Sequence, residues 1–459
     1  MVLTITQETF NDAVRENVDV LGMSFEEALE ETIKQFEAQK VDLSNISKEV
    51  MGEPIDEILI SSVINKLEGF NNEKLYNTET IDSLNTLKEN CDKGIEYKIL
   101  AGKLGAYQQI LTILMNSKDE KTLKVSCLKS MIALMSKQPD LLDDKGVEII
   151  LQNLELNGDS EIMILCLKWA RECCIYHEKN RQNLYNADIL SKLKVQLEEA
   201  NKELIRHILS LFRALVLDDD VRVEFGKAHD HAKGIATETL HTLTSLLNKF
   251  MTEENVVNDL ILTISNLLVR HEFCMQVMEV GGLDLIRQVM TEYTKNEKIN
   301  RQCFKLIKAL AGNDECKILI INKGIAPLLA AALTNIKSAP IASAGLGCIA
   351  ALCLRSPENS KAMFEIGAPE VIIQIMKQFP NDQKVQRSGC WAIRNMVSRS
   401  KYQCSHFKEL GTEDLLKYAL KNFKECEYDV KAALRDLGCE VELKEEWTGK
   451  GGLLNHNHC

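Results

Sequence analysis

One feature limits this chain more than any other: a short phrase that recurs along most of its length. A few apolar residues lead into a glycine or a stand-in for it, and an apolar run of helical length follows. The phrase reads LGAYQQILTIL around Gly105, KGVEIILQNL around Gly146 and NADILSKLKVQL with Asp188 in the glycine place. It returns at Gly281, Gly324, Gly367 and Gly411, so the successive intervals are 41, 42, 93, 43, 43 and 44 residues. The interval of 93 reads as two repeats with a degenerate junction near His229–Gly234. A fixed period of this length means units that cannot bury their apolar faces alone and must stack on their neighbours.

Each unit carries the same internal pattern. A short helix such as Glu358–Ile366 precedes the glycine, a second such as Pro369–Phe379 follows it, and a longer third such as Lys384–Ser398 closes the unit. Pro327 and Pro369 fall in the first turn of second helices, where a missing N–H costs nothing. Only 7 prolines and 23 glycines occur, too few for the closely spaced turns of an all-β chain. The unit resembles the armadillo repeat, whose pattern is matched by Pro357–Glu358–Asn359 and by Cys390–Trp391–Ala392–Ile393–Arg394–Asn395. Segments outside the repeats, Gln7–Phe10 through Val41–Ile46 and Lys431–Cys439, also resemble one member of that family. The implied fold is all-α: a right-handed α-α superhelix, or armadillo-repeat solenoid, of about eight three-helix units with a helical N-terminal extension. The expected division is an acidic extension and linker over 1–52, capping helices over 53–93, the solenoid over 94–438 and a tail over 439–459. Within the extension, Gln7–Val18 and Phe25–Glu37 read as amphipathic helices and Leu43–Gly52 as a linker.

Charge narrows the function. Residues 1–60 hold 14 acidic and 4 basic side chains, whereas the rest of the chain is nearly balanced within a net charge of −12. An acidic leader on a near-neutral body disfavours nucleic acid as a partner. The longest uncharged run, Ser338–Leu354, is 17 residues and falls short of a bilayer span. The opening MVLTITQETF lacks the basic and apolar regions of a signal peptide. Fifteen cysteines are scattered without a C-x-x-C pair, which suits a reduced interior, and the expected location is cytoplasmic or also nuclear. Cys127, Cys166, Cys303, Cys348 and Cys390 fall at similar depth in third helices and read as core.

No catalytic or nucleotide signature is present, and His271–Glu272 lacks the second histidine of a zinc-protease motif. The expectation is therefore no enzyme, no cofactor and no metal. Two His-x-His segments, His229–Asp230–His231 and His456–Asn457–His458, follow small residues, Ala228 and Asn455. They read as solvated loops, as a weak metal pair, or by resemblance as the substrate pattern of a histidine methyltransferase. His229 and His231 are the modification candidates, expected at an exposed turn. Asp218–Asp219–Asp220 reads as the acidic cap of the next first helix.

The family resemblance implies that the row of third helices forms a concave groove for a protein or peptide. The candidate groove residues are Arg213, Asn266, Lys308, Trp391, Arg394 and Asn395. In nuclear-import adaptors of this fold, Trp and Asn on successive third helices hold a basic peptide; here only Trp391 and Asn395 keep the full pair. Arg213, Lys308 and Arg394 favour an acidic or mixed ligand instead. The expected function is a scaffold binding another protein, with an import-adaptor-like binder of basic peptides as the alternative.

Overall fold

A computed structural model describes residues 3–43, 46, 57–73, 77–117, 120–154, 158–199, 201–334, 336–398, 400–441, 443–444 and 453–454. The chain divides into two compact units, Met1–Thr239 and Leu240–Cys459.

The leader is more than a pair of helices. It runs β1 (Leu3–Thr4), α1 (Gln7–Asp19), α2 (Phe25–Ala38) and β2 (Val41–Asp42). Thr6 accepts the Thr9 N–H at the start of α1, and Ser24 and Glu27 form a reciprocal capping box at the start of α2. β1 and β2 pair in parallel, Leu3 opposite Val41, with the two helices as the crossover that a parallel pair requires. Ile5, Phe10, Val14, Ala28, Val41, Leu43 and Ile46 close on one another as a separate hydrophobic core. Inside it Asn17 donates to the Thr32 hydroxyl at 2.9 Å. Both helices fall where the periodicity placed them; the strands were not expected. The proposed linker lies mostly outside the described residues.

The repeats follow. The capping pair is α3 (Glu57–Glu73) and α4 (Thr78–Cys91). The first triplet is α5 (Ile95–Lys103), α6 (Ala106–Asn116) and α7 (Lys121–Met135). The second shortens its first helix to a 3-10 turn, Pro139–Leu141, before α8 (Asp144–Gln152) and α9 (Ser160–Cys174). The third is α10 (Glu178–Asn186), α11 (Ile189–Glu199) and α12 (Lys202–Leu215). The fourth has no first helix: residues 216–227 are irregular, and α13 (Ala228–Lys249) and α14 (Glu254–Leu267) complete it. Then come α15 (His271–Glu279), α16 (Gly282–Glu292) and α17 (Glu297–Leu310), and α18 (Asp314–Asn322), α19 (Ile325–Leu333) and α20 (Ala339–Cys353). The seventh triplet is α21 (Pro357–Glu365), α22 (Ala368–Gln378) and α23 (Gln383–Val397). The eighth is α24 (Lys401–Glu409), α25 (Thr412–Asn422) and α26 (Glu427–Asp436). Within Met1–Thr239, α4, α7, α9 and α12 pack in succession; within Leu240–Cys459, α14, α17, α20, α23 and α26 do so. The fold is an all-α armadillo-type solenoid.

Five of the glycine marks, Gly105, Gly281, Gly324, Gly367 and Gly411, begin second helices with φ between +70° and +84°. Asp188 stands at φ +63°, a conformation aspartate tolerates better than most residues. Gly146 serves differently. It lies inside α8, where an added Cβ would meet the Tyr107 hydroxyl at 2.4 Å. Neighbouring repeats are also tied by buried amides. Asn180 donates to the carbonyls of Cys173 and Pro139, and Asn359 to those of Leu352 and Lys317. Each amide thus satisfies two carbonyls of the preceding repeat, one in its first helix and one near the end of its third, a physical basis for the recurring asparagine.

Candidate functional site

The third helices of residues 240–459 carry five of the six groove candidates. Helix propensity and the apolar stripe fix these helices. The stripe points Phe304, Ile307 and Leu310 of α17 inward, and Val385, Ile393 and Met396 of α23 likewise. Asn266 is exposed on α14 and Lys308 is exposed on α17. A Cβ added to the buried Gly347 of α20 would lie 3.6 Å from Lys308 Nζ, so the lysine extends over a helix whose half-buried face carries Ser343, Ala344 and Ala351. α23 packs close on that small-residue helix, with Ser343 and Ser388 hydroxyls 3.1 Å apart.

On α23 the candidates are already engaged. The Trp391 indole N–H donates to Asp429 Oδ1 at 2.8 Å. Arg394 Nε lies 3.0 Å from Asp436 Oδ2, and Asn395 donates to the Ala350 carbonyl at 2.8 Å. Asp429 also lies 3.3 Å from Arg387. Two acids on α26 therefore pair with two arginines on α23, and Asp436 also meets Arg435 of its own helix. Arg213 is half-buried on α12, in the other unit.

The residues missed in the sequence are Arg301 and Lys305. They stand on α17 at i−7 and i−3 from Lys308, and both are half-buried. Among the described residues no carboxylate pairs with Arg301, Lys305 or Lys308. Arg301 Nε is buried without a hydrogen-bond partner. Burial, and then the Arg301 charge, push the Lys305 ammonium below the usual lysine value. A period of three to four in basic residues was the available signal. The Trp and Asn positions of the repeat pattern do not include these residues.

Two expectations in the first unit need correction. His-x-His at 229–231 is not an exposed turn; it forms the first turn of α13, which continues through Gly234 without a break. His229 is exposed, but His231 is 3% exposed. Its Nδ1 donates to the Leu215 carbonyl at 3.1 Å, and its ring stacks on Tyr185 at 4.2 Å. A helix projects residues i and i+2 to different faces, so the two rings cannot share a pocket. Second, Asp218–Asp220 cap no following helix, because the fourth repeat has none. They reach backward: Asp220 accepts the Glu178 N–H at the start of α10, and Asp219 pairs with Arg181 at 2.6 Å. These acids also belong to a buried network that the sequence did not show. Arg181, 1% exposed, also meets Glu178; Arg222 joins Asp220 to Asp140; and His177 Nε2 lies 3.2 Å from Asp140. Burial alone would raise the Asp140 carboxyl, but His177 and Arg222 outweigh it and hold it at about 2. The leader touches the rim of this network, where Glu8 of α1 is pushed up by burial and by the neighbouring Asp140.

The third-helix cysteines, Cys127, Cys166, Cys303, Cys348 and Cys390, are fully buried, and burial raises every one of their thiols. Among the described residues no group of three His, Cys, Asp or Glu side chains is placed to hold a metal. No single described helix is long and apolar enough to cross a membrane. His456, His458 and the glycine-rich segment after Trp447 lie outside the described residues.

Comparison with known proteins covers nearly the whole chain. The family model ARMC6 matches residues 60–455, and the model of the Armadillo repeat-containing protein 6 N-terminal domain matches residues 3–68. The Armadillo repeat-containing protein 6 homolog of Drosophila melanogaster is 43% identical over 458 residues, 98% of each chain. Armadillo repeat-containing protein 6 of Homo sapiens is 33% identical, covering 98% of this chain and 94% of its own. Among solved structures, a crystal structure of an engineered protein aligns with a TM-score of 0.56 at 16% identity, over 83% of this chain and 100% of its own.

Proposed function

The chain belongs to the Armadillo repeat-containing protein 6 family, and from that premise we propose that it is a non-enzymatic scaffold whose third-helix face in residues 240–459 holds an extended acidic segment of another protein. The observation that carries this reading is the uncompensated row of Arg301, Lys305 and Lys308 on α17. Like charges three and four residues apart on a helix repel, and half-burying a lysine costs further. A carboxylate-bearing ligand offsets both. The small residues of α20 beside them leave room for a main chain to lie close to the helix. A basic peptide is disfavoured, because Trp391 and Asn395 spend their donors on Asp429 and Ala350.

The test is fluorescence anisotropy of a labelled Asp/Glu-rich peptide against the full chain. Lys305→Glu with Lys308→Glu should weaken binding about tenfold or more with helicity unchanged, and added salt should weaken the unaltered protein in the same direction. Undiminished binding by the double variant, or preference for a lysine-rich peptide, would remove the proposal.

A further inference from the structure

The separate core of the leader is open at one end. α1 and α2 pack on each other as an antiparallel hairpin, with the Phe10 ring near the start of α1 and the Phe36 ring near the end of α2 6.2 Å apart. The turn between the helices is fixed. Gly22, at φ +68°, donates its N–H to the Val18 carbonyl at 3.1 Å, Met23 donates to the Asn17 carbonyl at 3.3 Å, and the capping box holds Ser24. The inward stripe of α1 is Phe10, Val14, Asn17 and Val18, and that of α2 is Ala28, Leu29, Thr32, Ile33 and Phe36. Helical spacing carries the first stripe on to Leu21 and the second back to Phe25, at the same end of the hairpin. There the cover stops: Leu21 is 59% exposed, Phe25 47%, and Val20 beside them 73%. Single exposed apolar residues are ordinary, but three within six positions, where two core stripes converge on a fixed turn, form an unfinished core.

Charge specifies what covers it. Residues 3–46 carry ten acidic and three basic side chains. Glu16 and Asp19 lie in the last turn of α1, and Glu26 lies in the first turn of α2. All three are exposed, and among the described residues no cation pairs with them. The C-terminal end of a helix is itself negative, yet the last turn of α1 holds these two acids and no basic side chain. Local electrostatics are thus set against the helix at the very end where its core is uncovered, and such conflicts belong to functional surfaces. A second copy of the chain would set acid against acid here, and an anionic lipid surface would be repelled. A cationic partner with an apolar face meets both features.

We propose that the turn end of the leader docks a basic amphipathic helix of another protein. The apolar side chains of that helix lie on Val20, Leu21 and Phe25, and its lysines or arginines reach Glu16, Asp19 and Glu26. The two leader helices and the incoming one then close the core from three sides. Because the turn is fixed before the partner arrives, little order is lost on binding. This surface is independent of the α17 row and takes a ligand of the opposite charge.

Fluorescence anisotropy of the full chain with a labelled amphipathic helix of leucine and lysine tests the assignment, beside a peptide of the same composition whose leucines are scattered around the helix. The amphipathic peptide should bind, and the scattered one should bind about tenfold more weakly or not at all. Val20→Ser with Leu21→Ser should weaken binding about tenfold or more, and the melting temperature should not fall, because both side chains are exposed. Glu16→Lys with Asp19→Lys should weaken it in the same direction while leaving α1 as helical as before or more so, since cations suit a helix C-terminus. Loss of folding therefore cannot imitate the result. Lys305→Gln with Lys308→Gln, which disturb the α17 row, should not weaken the peptide. Failure of the amphipathic peptide to bind at sub-millimolar concentration, equal binding of the scattered peptide, or binding unaffected by both leader variants would overturn the assignment. So would sedimentation showing a dimer of the full chain that Val20→Ser with Leu21→Ser dissolves, which would put a second copy in this place.

Discussion

Arg181 and His231 show how much of this chain's behaviour is decided by single buried polar groups. Arg181 keeps its charge in the interior because Glu178 and Asp219 surround it and the Cys174 carbonyl accepts from it at 2.7 Å. His231 is held neutral. Burial lowers its proton affinity; the Leu215 carbonyl, Glu178 and Asp230 act the other way, and Arg181 acts with burial. A folded-state value below that of the unfolded chain means that the unfolded state binds the extra proton first. Stability therefore falls as pH drops through the ordinary imidazole value and levels off below the lowered one. Thermal melts between neutral pH and about pH 5 should show this decline, and His231→Gln should flatten it. An unchanged slope in the variant would mean that other groups carry the acid sensitivity.

At the scale of elements, the fourth repeat departs most from the pattern. It replaces a first helix by the irregular segment 216–227 and fuses the glycine turn into α13. Its replacement glycine, Gly234, serves packing: a Cβ there would lie 1.8 Å from the Tyr185 hydroxyl of α10. Gly234→Ala should cost about 1–3 kcal/mol by urea unfolding. Tyr185→Phe alone should be nearly neutral and should recover most of that loss in the double variant, since the next atom, Cζ, is 3.1 Å away. Additive losses would show that the hydroxyl is not the obstacle. The same logic explains Gly146 against Tyr107. A repeat mark can be glycine for a left-handed turn or for close approach, and sequence spacing alone does not separate the two.

At the scale of the molecule, the leader's separate core makes it a self-contained element beside eight repeats. Chain 57–459 should accordingly unfold within about 0.5 kcal/mol of the full protein, losing only the helicity of α1 and α2. A loss of several kcal/mol would show that the body depends on the leader. The sequence by itself determined the class of fold, the number of repeats and the place of most helices. It also determined the left-handed stand-in at Asp188, because period and residue chemistry are local properties that survive in one dimension. Only the tertiary structure decided which polar groups are already satisfied. Trp391, Arg394 and Asn395 lose their donors to residues 38–45 positions away, the Asp218–Asp220 run turns back to an earlier helix, and His231 is drawn into the interior. Among the described residues it left Arg301, Lys305 and Lys308 without a carboxylate partner and the Ser400 hydroxyl without a hydrogen bond. Whether a charge or a donor remains available depends on partners brought together by packing, and those distances are not written in the order of the residues.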